Sequence, residues 1–413
     1  MRLEWGFKMD RKYIILRHKH KILSLLYHGN RLLHARAEAE HGNLLGNMYI
    51  AKVKNVVKNI NAAFVEIKPG CPCFLSLNGL KNPLITNRDY DGRVLDGDEI
   101  LVQVYKEETK SKTPTVTCSL SLDGKYCVAS ARRLGVSYSA KLSDKVKKRI
   151  GDCLEQEGFL ETYGREAGII IRTNAKDLTE DLTPLKDEIR TLTGKLHHIM
   201  EIARHRTCYS VLFEQLPAYL TGIRDEYEGQ YEEIVTDQPD IYETVLAYRK
   251  KNPSFPIPGV RLYQDEKVPL YKLYSVETRL KEALNKKVWL KSGGYLVIEH
   301  TEALTAIDVN TGKLTAGKDM EETYLRTNLE AAGEIAVQMA LRNLSGMILV
   351  DFINMSREEN NKRLMAFFGD LLKKDPVRTQ LIDITALGLV EITRMKMSKP
   401  LQEQLIFQPD KES

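Results

Sequence analysis

TEALTAIDVNTG at residues 301–312 and GMILVDFINM at residues 346–355 decide how this chain is read. Each is an apolar, β-type run interrupted by an aspartate, Asp308 in the first and Asp351 in the second, and one helical stretch separates them. Val, Ile and Leu on both sides of each acid predict strands buried in a sheet. A carboxylate inside such a run is costly unless it is paired or holds a metal. An aspartate at a strand end also serves as a turn or helix-cap residue. Here, however, Val309-Asn310 and Phe352-Ile353-Asn354 continue each run before any turn. Hard-cation chemistry is the functional alternative, since Mg²⁺ takes one or two carboxylates and completes its shell with water. Asn310 adds an amide beside Asp308.

Around this pair, the strand pair expected in VWLKSGGYLVI (288–298), the long amphipathic helix expected over 321–344 and a Ser356/Glu359 capping-box pattern give a βαβα order and a mixed α/β layer. Upstream, residues 42–120 hold five short alternating runs broken by Gly, Asn and Pro, which predicts an OB-like barrel. Leu142, Val146, Ile150 and Leu154 recur every four residues, and Leu185, Ile189, Leu192, Leu196 and Ile199 share one helical side, predicting two helices. Between them GIIIRT (168–173) is a strand ending on a guanidinium and a hydroxyl, a pair suited to a terminal phosphate. KYIIL, KILSLLY and RLLHA near the N-terminus predict an antiparallel meander, which Met9 opens as well as Met1 does.

At 413 residues the chain accommodates several cores. Its net charge of +5, 61 basic against 56 acidic residues, announces no nucleic acid, so an RNA surface must be local, as in KLSDKVKKR (141–149). No apolar run reaches the roughly 18 residues of a membrane helix. Six scattered cysteines suit a reduced, cytoplasmic compartment, and Cys71-Pro72-Cys73 lacks the spacing of a zinc pair.

Four segments, TEALTAIDVNTG, EETYLRTNLEAAGEIA (321–336), GMILVDFINM and LGLVEITR (387–394), together resemble the catalytic region of the ribonuclease E/G family. The resemblance implies a Mg²⁺-dependent endoribonuclease of single-stranded RNA, ribosomal precursor or messenger, leaving 5′-phosphate and 3′-hydroxyl ends. Its catalytic positions fall on Asp308, Asn310 and Asp351, with Asp308 and Asp351 as metal ligands. GNMYIAKVKNVVKNINAAFVEI (46–67) with CFLSL (73–77) resembles the S1-type barrel of that family, whose RNA contacts fall on Phe64, Phe74 and Lys112. A 5′-monophosphate sensor is implied at Gly124, Val128, Arg172 and Thr173; one family cation is missing where Ala140 stands. The implied organisation is an RNase H-like scaffold from residues 1–41 and 207–275, the S1 domain at 42–120, the sensor at 121–206, a DNase I-like catalytic domain at 276–405 and a tail at 406–413. After Arg394 the chain shows no CPxC-type zinc-link, so a homodimer, if formed, is expected without one. The rival from another class is a non-catalytic RNA-binding assembly factor of the same fold; a DNA phosphodiesterase fits the S1-type barrel less well.

Overall fold

The computed structural model describes residues 11–406 apart from 41–43, 81, 108–112, 132–133, 157, 179–180, 227–230, 253–258, 313–319 and 376. The chain is mixed α/β and divides into two compact units, Met1–Gly42 with Ala218–Ser413, and Asn43–Pro217.

In the first unit the meander forms as expected. Arg11–His18, Lys21–His28 and Arg31–Ala39 pair antiparallel in succession. Arg11–His18 also pairs in parallel with Glu233–Thr236, which pairs in parallel with Gly259–Leu262. The same unit carries a six-stranded sheet in the order Lys287–Trp289, Tyr295–His300, Leu304–Asn310, Gly346–Asp351, Val390–Arg394, Thr379–Ile384. Leu304–Asn310 and Gly346–Asp351 are its parallel pair, joined through the helix Met320–Leu341.

One face of that sheet is core and the other is open. Leu296, Ile298, Ile307, Val309, Ile348, Val350, Val390 and Ile392 pack beneath Ala331, Ile335, Leu364 and Phe368 of the helices Met320–Leu341 and Glu358–Leu372. Burying each large aliphatic contributes roughly 1.5–3 kcal/mol. This corrects the expectation of strands buried on both sides. Thr305, Ile307 and Val309 are buried, while Ala306 and Asp308 between them are exposed, and Asp351 is exposed too. The carboxylates therefore stay hydrated on the open face, with no desolvation cost to offset.

In the second unit Met48–Val57, Ala62–Glu66, Pro72–Ser76, Thr115–Thr117 and Glu99–Lys106 close into a five-stranded barrel through the pairing of Met48–Val57 with Glu99–Lys106. Alternation fills it: Ala63, Val65, Cys73 and Leu75 point inward. Val211–Phe213 pairs with Met48–Val57. Beside the barrel, Ser121–Asp123, Cys127–Ser130, Gly168–Ile171 and Gly135–Tyr138 form a four-stranded sheet. The helices Asp144–Gln156 and Thr183–Ala203 pack on it through Ile150, Leu154, Leu185, Ile189 and Leu196.

Candidate active site

The parallel register sets Asp308 directly opposite Asp351. Adjacent strands lie about 4.8 Å apart, so two carboxylates on the same face converge without any special loop. The Asn310 Nδ2 donates to Oδ2 of Asp308 at 2.8 Å, fixing that carboxylate and leaving the amide oxygen free to accept. Asp308, Asn310 and Asp351 are thus brought together. The two carboxylates and an amide oxygen are hard oxygen donors, few in number and open to solvent, which is the set that suits hydrated Mg²⁺. Among the described residues no cluster of three or more His, Cys, Asp or Glu could hold a metal.

Helix Met320–Leu341 acts as a rack for the loops around this pair, a role that sequence reading missed. Asn328, fully buried, donates through Nδ2 to the Ile353 carbonyl at 2.8 Å and accepts from the Ile353 amide at 3.0 Å. That two-point clamp fixes the chain just after Asp351. Glu330 accepts from the Lys291 amide at 2.6 Å and the Ser292 amide at 3.2 Å, holding the turn before Tyr295. Gly294 in that turn lies so close to the next strand that a Cβ would stand 2.8 Å from the Asn310 carbonyl oxygen.

Glu321 replaces the expected capping box. Helix Glu358–Leu372 begins at an N-cap, Arg357, that has no side-chain cap bond, so Ser356 and Glu359 do not form the reciprocal pair. Glu321 instead accepts from the Arg357 amide at 2.8 Å, the Ser356 hydroxyl at 2.8 Å and the Ser356 amide at 3.2 Å. A charged acceptor at a helix N-terminus outcompetes a local hydroxyl. These bonds, the Arg357 amide foremost, hold the Glu321 carboxyl down at about 2. A depressed carboxylate contributes stability above its unfolded pKa, near 4.3, and loses it as pH falls through the folded value. Glu321→Gln should therefore lower the melting temperature most at pH 5–7, with the difference from wild type shrinking as pH approaches 2. A difference independent of pH would mean that the charge is not what the loop uses.

In the second unit Phe64 and Phe74 sit opposite one another on adjacent strands, with ring centroids 6.0 Å apart, edge to face. Their neighbours fill the barrel while both rings lie half-buried on its outside. Lys112 falls outside the described residues. Arg172 follows the strand Gly168–Ile171, where Ile169 and Ile171 are buried and Ile170 is exposed. Its Nη1 donates to the Gly124 carbonyl, and the Thr173 hydroxyl lies 2.9 Å from that of Ser139. Val128 is opposite Ile170 on the neighbouring strand. Gly124, Val128, Arg172 and Thr173 therefore share one end of the small sheet.

Glu188, unseen in the sequence, organises that end. Its carboxylate accepts from three consecutive amides, Lys125 at 2.6 Å, Tyr126 at 2.7 Å and Cys127 at 2.9 Å. Gly124 is required for this approach, because a Cβ there would stand 2.3 Å from the Glu188 carboxyl carbon. Lys125 is buried, its ammonium 4.4 Å from the Tyr126 ring centroid, and brings a second cation to the turn.

A family model described as the Ribonuclease E/G family matches residues 121–397. The chain is 30% identical over 388 residues to ribonuclease G of Salmonella typhimurium, covering 90% of this chain and 77% of that protein. It is 32% identical over 410 residues to ribonuclease E of Haemophilus influenzae, covering 96% of this chain and 42% of that protein. Ribonuclease E of Synechocystis is 30% identical over 411 residues, covering 96% and 58%.

Proposed function

The chain belongs to the ribonuclease E/G family and is an endoribonuclease, and from that premise we propose that Asp308 and Asp351 are the carboxylates of its cleavage centre. The observation that carries this reading is the parallel register of the two acids on one exposed sheet face, with Asn310 bonded to the first. Asp308 and Asp351 would hold hydrated Mg²⁺, and the Asn310 amide, bonded to Asp308 Oδ2, would steady that carboxylate as a ligand. Bound there, Mg²⁺ supplies positive charge against the scissile phosphate and acidifies water for attack. The substrate is single-stranded RNA, ribosomal precursor or messenger, cut to 5′-phosphate and 3′-hydroxyl ends. In this reading the meander sheet is an RNase H-like scaffold and the six-stranded layer is DNase I-like.

The outward rings of Phe64 and Phe74 suit sequence-tolerant stacking, with Lys112 on the phosphates. EDTA tests the metal part of this reading. Chelation should abolish cleavage of a labelled single-stranded RNA and spare most of its binding; cleavage that persists in EDTA would overturn the metal assignment.

The Arg172–Thr173 end would take a 5′-monophosphate, a compact dianion suited to a guanidinium fork and a hydroxyl. Wild type should cleave a 5′-monophosphorylated RNA faster than its 5′-hydroxyl twin, and the missing cation at Ala140 keeps that preference modest. Arg172→Ala should slow the first reaction and leave the second nearly unchanged. Equal wild-type rates on the twins would reduce Arg172 to a strut for the Gly124 turn.

A further inference from the structure

We propose that Trp289 and Tyr295, with Lys287, form a base-stacking platform for a nucleotide flanking the scissile phosphate. The inference rests on the cleavage centre assigned to Asp308 and Asp351 and adds to it a binding subsite.

Register places the platform. Trp289 pairs with Tyr295 and Tyr295 with Asn310, giving one row across three strands. In the neighbouring row Lys287 pairs with Val297, Val297 with Asp308, and Asp308 with Asp351. Directly opposed residues share a face, so Trp289, Tyr295 and Lys287 stand on the open face with the carboxylates. Two strand spacings, about 10 Å, separate Trp289 from the Asn310 position. The alternate residues Val288 and Leu296 point into the core on the other face.

The chemistry of the cluster suits an unpaired base. The Trp289 and Tyr295 rings meet edge to face with centroids 5.3 Å apart, and the Lys287 ammonium lies 4.1 Å from the first and 3.6 Å from the second. Yet Trp289 remains 64% exposed. A ring held in orientation by a neighbouring ring and a cation, but not covered, is a stacking surface ready before the ligand arrives. The lysine places positive charge where the strand's phosphates run. Stacking on an aromatic face with a cation alongside is how single strands are held without sequence preference. A ladder that served only the hairpin would not need the largest aromatic on a three-residue edge strand facing solvent.

The test uses the full chain carrying Asp351→Asn, so that RNA is bound without being cut, and Trp5→Phe, which leaves Trp289 as the only tryptophan. The probe is an unstructured single-stranded RNA oligomer of mixed sequence. Saturating RNA should quench Trp289 emission. In the chain that retains Asp351, Trp289→Ala should raise KM about five-fold or more, keep kcat within about two- to three-fold, and leave the melting temperature near wild type. Trp289→Phe should restore most of the loss. Unchanged emission at saturating RNA, or an unchanged KM for Trp289→Ala, overturns the platform. The two readings fail separately: RNA-dependent quenching with full cleavage by Asp308→Asn would keep Trp289 as an RNA-stacking site but move the cleavage centre away from it. Abolished cleavage by Asp308→Asn with a silent Trp289 would do the reverse.

Discussion

Asp308→Asn and Asp351→Asn should each lower cleavage of single-stranded RNA by roughly 10²–10³-fold or more while leaving RNA affinity within several-fold. Each substitution keeps the shape of its strand and removes one negative charge. Because both acids are exposed, neither change leaves a buried group unpaired, and the fold should not suffer. The loss should be deepest at limiting Mg²⁺ and partly recovered at high concentration, since a weakened site still fills by mass action. Asn310→Ala frees Asp308 without removing a carboxylate, so its effect should be smaller than either Asp change. Near-wild-type turnover of either Asp variant at limiting Mg²⁺ would end the assignment. Uniform loss of RNA binding alongside cleavage would point to a folding defect instead.

What the sequence made legible here was whatever repeats locally. Val146, Ile150 and Leu154 of the four-residue period fall in helix Asp144–Gln156, with Leu142 two residues ahead of it, and the alternation around Phe64 and Phe74 became a closed barrel. The two aspartates were visible as interruptions in apolar runs. Their exposure was not, because Ala306 and Leu349 read as core residues while lying on the face opposite the helices. Partnerships across distance were also hidden. Glu321 reaches the turn at Ser356 and Arg357, and Glu188 reaches three amides more than 60 residues back, and no period in a single sequence announces such pairings. The local Ser356/Glu359 pattern misled for the same reason: a better acceptor arrived from another helix. Family resemblance supplied Gly124 and Arg172 as positions, and the structure supplies a reason for Gly124, which is the room that Glu188 needs.

The largest expected loss of stability lies at the far end of the strand that flanks Asp351. Arg394 closes the LGLVEITR segment and is 4% exposed. Its Nε donates to Asp375 at 2.7 Å and its Nη1 to the Leu344 carbonyl at 2.8 Å and to Oδ1 of Asn343 at 3.0 Å. Asp375 is nearly as buried. Arg394→Met should therefore cost about 3–5 kcal/mol, because it leaves the buried Asp375 carboxylate without its counter-charge, with the Val377 amide and the Thr379 hydroxyl still donating to it, as well as losing the arginine's own bonds. Adding Asp375→Leu to it should recover part of that loss by removing the uncompensated charge, although the Leu344 carbonyl stays without its donor and the Val377 amide loses its acceptor. Urea unfolding of the two variants against wild type measures both quantities. Arg394 pairs in register with Gly346, at the opposite end of the strand from Asp351. Its folded fraction should accordingly still cleave RNA at low temperature, the reverse of what Asp351→Asn does. A loss below about 1 kcal/mol would show that the pair is hydrated and works as a surface bridge. Full loss of cleavage in a stably folded Arg394→Met would instead tie this arginine to the chemistry and require a path from Gly346 to Asp351 along the strand.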